Sequence, residues 1–511
     1  MSESFYDAVV LGTDLSPLCC GALLAKRGFR VLVLGQDDVR PRYDVGRFSL
    51  QRHPYVGPSA RSPLMRRILA ELGLSQTFRQ VSSTPELPFQ VAMPGHRFDL
   101  ALDPAALSAE LEREFPKVKR PVEDFHRLAG KVATQLDSLL ERDRVWPPEK
   151  FFERQEFARA CAAAGLGREG AIPDPLAEFP DEHPFRTLVR AVGRLTDDID
   201  AAQTAPLRML HLYNNLYRRS ARIDGGIGPL RELLIDRIRS HSGEVRIDER
   251  ASRILVRRGR TTGVRLYGSG DEVGAAFVAA GIDLAAVLRL LDDRSAFDDI
   301  FERVGEPQLQ RYRYTLNVVL KRDGLPAGMA RDVLWIPPDE TAVERGAPLY
   351  VQADPLDDEH MQLCVETQLP AAMVERSEDY LGGVRSRMRS ALRALLPFID
   401  DHAVLFDSPH DGLPPQWVGD TDDDDAGAGD ARRGPQTMPA IYGYPVTRAL
   451  DLCALSVRTP VRHLVLSNAQ VAPGLGAEGR LLSACSAARL ITKSDSSREW
   501  MRRGLWTKVE V

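Results

Sequence analysis

The feature that most constrains the fold lies in the first forty residues. The run Tyr6 to Leu11, YDAVVL, is short, apolar and rich in valine. It is followed at once by Gly12, by a run of small and apolar residues from Ser16 to Arg27, and by a second apolar run from Arg30 to Leu34. This order predicts a strand, a tight turn, a helix and a parallel strand. A unit of this kind that holds a dinucleotide reads G-x-G-x-x-G, with glycines for the turn, for backbone approach to the pyrophosphate, and for helix–strand packing. Here those positions are Gly12, Asp14 and Pro17. Asp14 brings bulk and negative charge to a helix N-terminus that otherwise attracts phosphate. Pro17 is tolerated in a first helical turn, where a missing N–H costs little. The acidic residue that ends the second strand and binds ribose is replaced by Gly35 and Gln36, and Asp37 and Asp38 could serve only if the strand end were shifted.

Length and charge bound the rest. A chain of 511 residues exceeds what one hydrophobic core usually supports, which predicts two lobes. With a formal net charge of -5, nothing points to nucleic acid. The six cysteines lack C-x-x-C or paired Cys/His spacing, so no metal is expected and the thiols are read as reduced and buried in a cytoplasmic protein. No apolar run reaches the roughly 18 residues of a membrane span, and the early first strand leaves no room for a signal peptide.

Two further segments share the logic of the first. From Gly225 and Gly226 an amphipathic helix leads into strands Glu244 to Ile247, Ala251 to Arg257, Thr262 to Leu266 and Ala276 to Ala279. This predicts a crossover onto a parallel sheet with an antiparallel meander. Near the C-terminus, a strand from His463 to Leu466, a loop with Gly474, Gly476 and Gly479, and a helix from about Arg480 form another strand-loop-helix.

Together YDAVVLGTDLSPLCCGALLAKRGFRVLVL, GGIGPL with SRILVRRGRTTGVRLYG, and LVLSNAQVAPGLGAEG resemble the phytoene desaturase branch of the flavin amine oxidase superfamily. Other branches include monoamine oxidases and Rab GDP-dissociation inhibitors. The resemblance implies an α/β fold, a Rossmann-like FAD/NAD(P)-binding domain with a second mixed α+β substrate lobe. The first lobe would comprise 1–60, 221–295 and 441–495, the second 61–220 and 296–440, with 496–511 as a C-terminal tail. It places FAD along Gly12, Asp14 and Pro17, with Gly35 at the ribose end, Arg253 to Val256 near adenine, and Asn468, Ala469 and Gly474 to Gly479 at the flavin. It also implies an apolar tunnel for a long substrate in the second lobe.

The departures fall on the cofactor contacts. The family's acidic residue before the last loop is replaced by Asn468 and Ala469, and its Glu and Gly-Gly-Arg loop after the second strand by Gly35 and DDVRPRYDVGRFSLQRH. The expectation is a member without tight FAD binding: no cofactor, or FAD if any, and a hydrophobic small molecule, lipid or protein partner as ligand. Rab GDP-dissociation inhibitors are the precedent. The competing expectation is an FAD-dependent desaturase or oxidase of a long apolar substrate. No catalytic constellation stands out; His126, His211, Tyr213 and Tyr217 read as helix residues of core or surface. The terminal SREWMRRGLWTKVEV suits peripheral membrane contact or docking on the body, and the acidic stretch from Gly419 reads as a mobile loop.

Overall fold

The computed structural model describes residues 5–36, 39–55, 57–58, 60–84, 89–166, 172–199, 205–219, 221–377, 379–419 and 433–494. Asp37, Asp38, most of the acidic stretch and the tail 496–511 lie outside them.

The first unit forms as its sequence predicts. Strand Phe5–Leu11 runs into helix Leu15–Lys26 and back to strand Val31–Leu34, which pairs with the first in parallel, Leu11 opposite Leu34. Nearly every side chain of the helix is buried, because its small residues let it sit between helix Gly228–Ser240 and helix Ala477–Lys493. On its other edge the first strand pairs in parallel with Glu272–Ala280, which carries Leu464–Leu466 beside it. Strand Glu244–Arg246 adds to Val31–Leu34, and Ala251–Arg257 and Arg260–Leu266 form the antiparallel meander. Seven strands result, five of them parallel with their C-terminal ends on the same edge of the sheet, the side where ligands of such sheets bind.

The second lobe is built on a nine-stranded mixed sheet around the long strands Gln308–Lys321 and His360–Pro370. One face is apolar. Tyr314, Leu316, Val318 and Leu320 alternate towards it and pack with Leu381, Val384 and Met388 of helix Tyr380–Leu395. The opposite face is polar and buried, carrying Arg313, Thr315 and Asn317 on one strand and Gln362, Glu366 and Gln368 on its neighbour. This polar row faces the lobe boundary, at the place where the resemblance leads one to look for apolar lining.

A segment assigned by sequence to the first lobe covers part of that polar face. The hairpin of strands Arg42–Val45 and Phe48–Gln51 packs Tyr43, Val45, Phe48 and Leu50 against Val319 and Leu405 of the second lobe. Within the segment 1–60, expected in the first lobe, these side chains thus share a small apolar cluster with strands of the second sheet. Contiguous apolar alternation in the hairpin gave no sign of which lobe it would bury against. Ahead of the glycine pair Gly225 and Gly226 lie two helices, Pro184–Thr196 and Pro206–Arg219.

Candidate functional site

The loops leaving the parallel strands are stitched together by backbone hydrogen bonds. Gly12 N donates to Leu34 O at 2.9 Å, Gly281 N to Leu11 O at 2.7 Å, and Ser467 N to Ala280 O at 2.7 Å. Ser16 and Ser467 join the first and last loops through their hydroxyls at 3.1 Å. Gly12, Asp14 and Pro17 are thereby brought to the same end of the sheet as Asn468.

What those residues touch is protein. Asp14 is the N-cap of its helix, but its side chain makes no capping bond and is half exposed, 3.7 Å from Arg480. With Asp14 as N-cap, Pro17 stands third in the helix, so the first turn offers the N–H groups of Leu15 and Ser16 and none from Pro17. The ring of Pro17 lies against Gly281, where a Cβ would overlap it and also stand 2.7 Å from Leu11 O. The close approach of helix and strand that the family's third glycine permits has here been moved to a glycine on the partner strand.

At the end of the second strand the constraint is sharper. A Cβ on Gly35 would overlap the carbonyl oxygen of Ile247, and Gly35 N donates to Arg246 O at 3.0 Å. Gln36, at φ 48°, is bound to Ala251 by both its amide groups, at 2.8 and 3.0 Å. No side chain fits at position 35, acidic or otherwise, while the segment from Arg246 to Ala251 stays in place. Val256, a few residues further along that outer strand, is 39% exposed.

The last loop is equally engaged. Asn468 is buried, donating to Ile282 O at 2.7 Å and accepting from Gln470 N at 3.1 Å, with Ala469 between them. A Cβ on Gly474 would meet Arg208 and Asp451 O, both at 2.9 Å, and one on Gly476 would overlap Thr196 O. Gly476 thus admits the backbone at Thr196, and Gly474 the side chain of Arg208 and the backbone at Asp451.

Between the lobes runs a series of alternating charges that sequence reasoning did not find. Arg480 stands 3.7 Å from both Asp14 and Asp198. Asp198 pairs with Arg313 at 3.1 Å, Arg313 with Glu366 at 3.0 Å, and Glu366 with His53 at 3.3 Å. His53 also meets Thr315 at 3.2 Å and stacks on His410, with ring centroids 4.9 Å apart. Burial opposes the charge on Glu366, but Arg313 and His53 outweigh it and its pKa falls below the usual glutamate value. Asp283, at the end of strand Glu272–Ala280, moves the other way: burial raises its pKa, nearby Asp14 adds to this, and the Tyr442 hydroxyl donates to it at 2.9 Å. The members come from segments hundreds of residues apart, so spacing could not have flagged them. Only the position of Arg480, just past a glycine loop, was a usable signal.

The residues read as core or surface on their helices are core. His211, fully buried, meets Glu478 at 3.0 Å; His126 meets the Tyr213 hydroxyl at 3.0 Å, and burial takes its pKa down to about 3. Tyr217 donates to Ala101 O at 2.8 Å. All six cysteines are free and buried. Among the described residues no group of His, Cys, Asp or Glu is arranged to hold a metal ion, and no helix is long and apolar enough to cross a membrane.

No protein-family model matches the chain, and no curated protein sequence matches it. Solved structures do. An oxidoreductase from Methanosarcina mazei superposes with a TM-score of 0.58 at 14% identity, over 94% of this chain and 99% of that one. Putrescine oxidase bound to putrescine gives 0.56 at 14% identity, over 96% and 98%. Cyclohexylamine oxidase from Brevibacterium oxydans gives 0.55 at 14% identity, over 96% and 99%. At such identity the likeness shows the fold alone: with its two sheets, this chain has the two-lobed α/β fold that these oxidoreductase and amine oxidase structures share.

Proposed function

We propose that this protein works as a binding protein without a tightly held dinucleotide, on a scaffold whose solved neighbours include oxidases. The observation that carries the reading is the end of the second strand, where Ile247 O lies in the space a side chain at Gly35 would need. Asp14 supports it by putting a carboxylate at the helix N-terminus where the family places pyrophosphate. Residues so arranged do not fit FAD lying as the family holds it.

The buried row of Arg313, Thr315, Glu366 and Gln368 suits a polar occupant of the crevice or a protein partner at its mouth better than a bare polyene or lipid tail. The fold neighbours keep a second reading in play, that of an FAD-dependent oxidoreductase with an altered cradle.

Absorbance between about 350 and 500 nm, recorded on the purified protein and again after adding FAD, separates the two. A colourless protein whose added FAD elutes freely on gel filtration is the expected result. A stoichiometric flavin band that survives gel filtration overturns the proposal in favour of the oxidoreductase.

A further inference from the structure

The outer hairpin of the first lobe breaks two local rules at once. Strands Ala251–Arg257 and Arg260–Leu266 are joined by Arg258 and Gly259, both at positive φ, 52° and 69°. A two-residue turn of this kind favours Asn-Gly or Gly-Gly, and an arginine in the left-handed region is strained. Flanking the turn, Arg257 stands directly opposite Arg260, a like-charge cross-strand pair of the kind that destabilises a hairpin. Arg462 joins them: its N–H donates to Gly259 O at 3.0 Å, its carbonyl accepts from Thr261 at 2.9 Å, and its guanidinium reaches Arg258 O at 3.2 Å.

Elsewhere in the same region arginines are paired. Arg246 meets Glu244 and Glu249, Arg253 meets Asp292 at 3.0 Å, and Arg265 meets Glu272 at 2.6 Å. At the tip, Arg257, Arg258, Arg260 and Arg462 are all exposed, and none has an acidic partner among the described residues. A chain with a net charge of -5 thus concentrates four cations without acidic partners among the described residues on one exposed turn. Bonds from Arg462 hold the turn in place, but no acidic side chain offsets its charge. Like charges gathered against local preference mark a candidate functional position.

We propose that this arginine tip docks on an anionic lipid surface. A convex tip can bring all four guanidinium groups to one plane, and each planar fork can hold two phosphate or carboxylate oxygens. Val256, exposed beside the tip, gives the cluster an apolar side chain that suits a bilayer interface and has no counterpart partner on a nucleic-acid backbone. Each arginine near such a surface is worth about fivefold in partitioning, and the effect weakens as salt rises. The inference is independent of whether the crevice holds a cofactor.

The test is co-sedimentation of the full chain with vesicles of phosphatidylcholine alone and with about one third phosphatidylserine, at low and near-physiological salt. Arg258→Asn with Arg260→Thr removes two charges while giving the turn its preferred Asn-Gly, so the variant is expected to melt no lower than the parent. Expected are binding to the serine-containing vesicles only and a loss of about 30-fold in the variant. Equal binding of parent and variant overturns the proposal, and would assign any vesicle binding to another part of the chain. Failure of the parent to bind overturns it too, as does binding to duplex DNA in preference to vesicles, which would make the tip a nucleic-acid contact.

Discussion

Glu366 carries two roles at once: it closes the charge series between the lobes and holds His53 and Arg313 in register on the polar sheet face. Because its folded pKa lies below that of the unfolded chain, the unfolded state takes up a proton first as pH falls. Its contribution is therefore complete above the ordinary glutamate value and disappears as pH drops through the folded value. Glu366→Gln is expected to cost up to about 3 kcal/mol near neutral pH, since it leaves a buried arginine short of a partner. Urea midpoints measured from pH 7 down to pH 3 should show the gap between parent and variant closing in the acid range. A gap that is constant with pH would mean that the loss is one of packing. Residue-level departures from the dinucleotide pattern were plain in the sequence at Gly12, Asp14 and Pro17. What filled the vacated contacts was not, because Ile247, Arg480 and Gly281 are brought there by tertiary packing.

At the scale of elements, helix Leu15–Lys26 and strand Glu272–Ala280 show how a lost glycine is accommodated. Pro17 replaces the family's small residue on the helix, and Gly281 just beyond the strand leaves room for its ring. Gly281→Ala is expected to destabilise by roughly 1–3 kcal/mol through overpacking. Pro17→Gly should relieve part of that, since Leu11 O remains at 2.7 Å, giving a coupling of about 1 kcal/mol in a double-mutant cycle by chemical denaturation. Additive costs would show that the two positions do not share one contact. Strands and helices of the first unit were legible because each carries its own period. The meander was legible too, though its third strand proved longer, Glu272–Ala280, than its apolar stretch suggested. The second lobe was expected as a mixed α+β lobe with an apolar tunnel, and the polar face of its sheet was not legible, since alternation alone does not say which side meets another lobe.

For the whole molecule, the departures from the dinucleotide pattern lie at separate places, Asp14 and Pro17 on the helix and Gly35 at the end of the second strand, and this bears on repair. Asp14→Gly with Pro17→Gly frees the helix N-terminus of charge and bulk, which from the sequence would be expected to raise FAD affinity. The structure adds the barrier at Gly35, outside that loop, so the double variant is expected to gain little, as read by flavin fluorescence quenching on titration. A variant that binds FAD stoichiometrically would show that the segment from Arg246 to Ala251 yields readily.

The hairpin from Arg42 to Gln51 and the strand of chain that follows it have a consequence for motion. Tyr43 donates to Asp407 at 2.8 Å, Asn317 donates to Gln51 O at 2.8 Å, Gln51 donates to Asp354 at 2.8 Å, and Tyr55 N donates to Gln352 at 2.9 Å. A connection between lobes is the usual place for a lid, yet lifting this one would strand a row of buried polar groups without partners, each at roughly 1–3 kcal/mol. The hairpin is therefore expected to stay seated on the second lobe, so that in native-state hydrogen exchange its paired amides open together with that lobe rather than by a separate local motion.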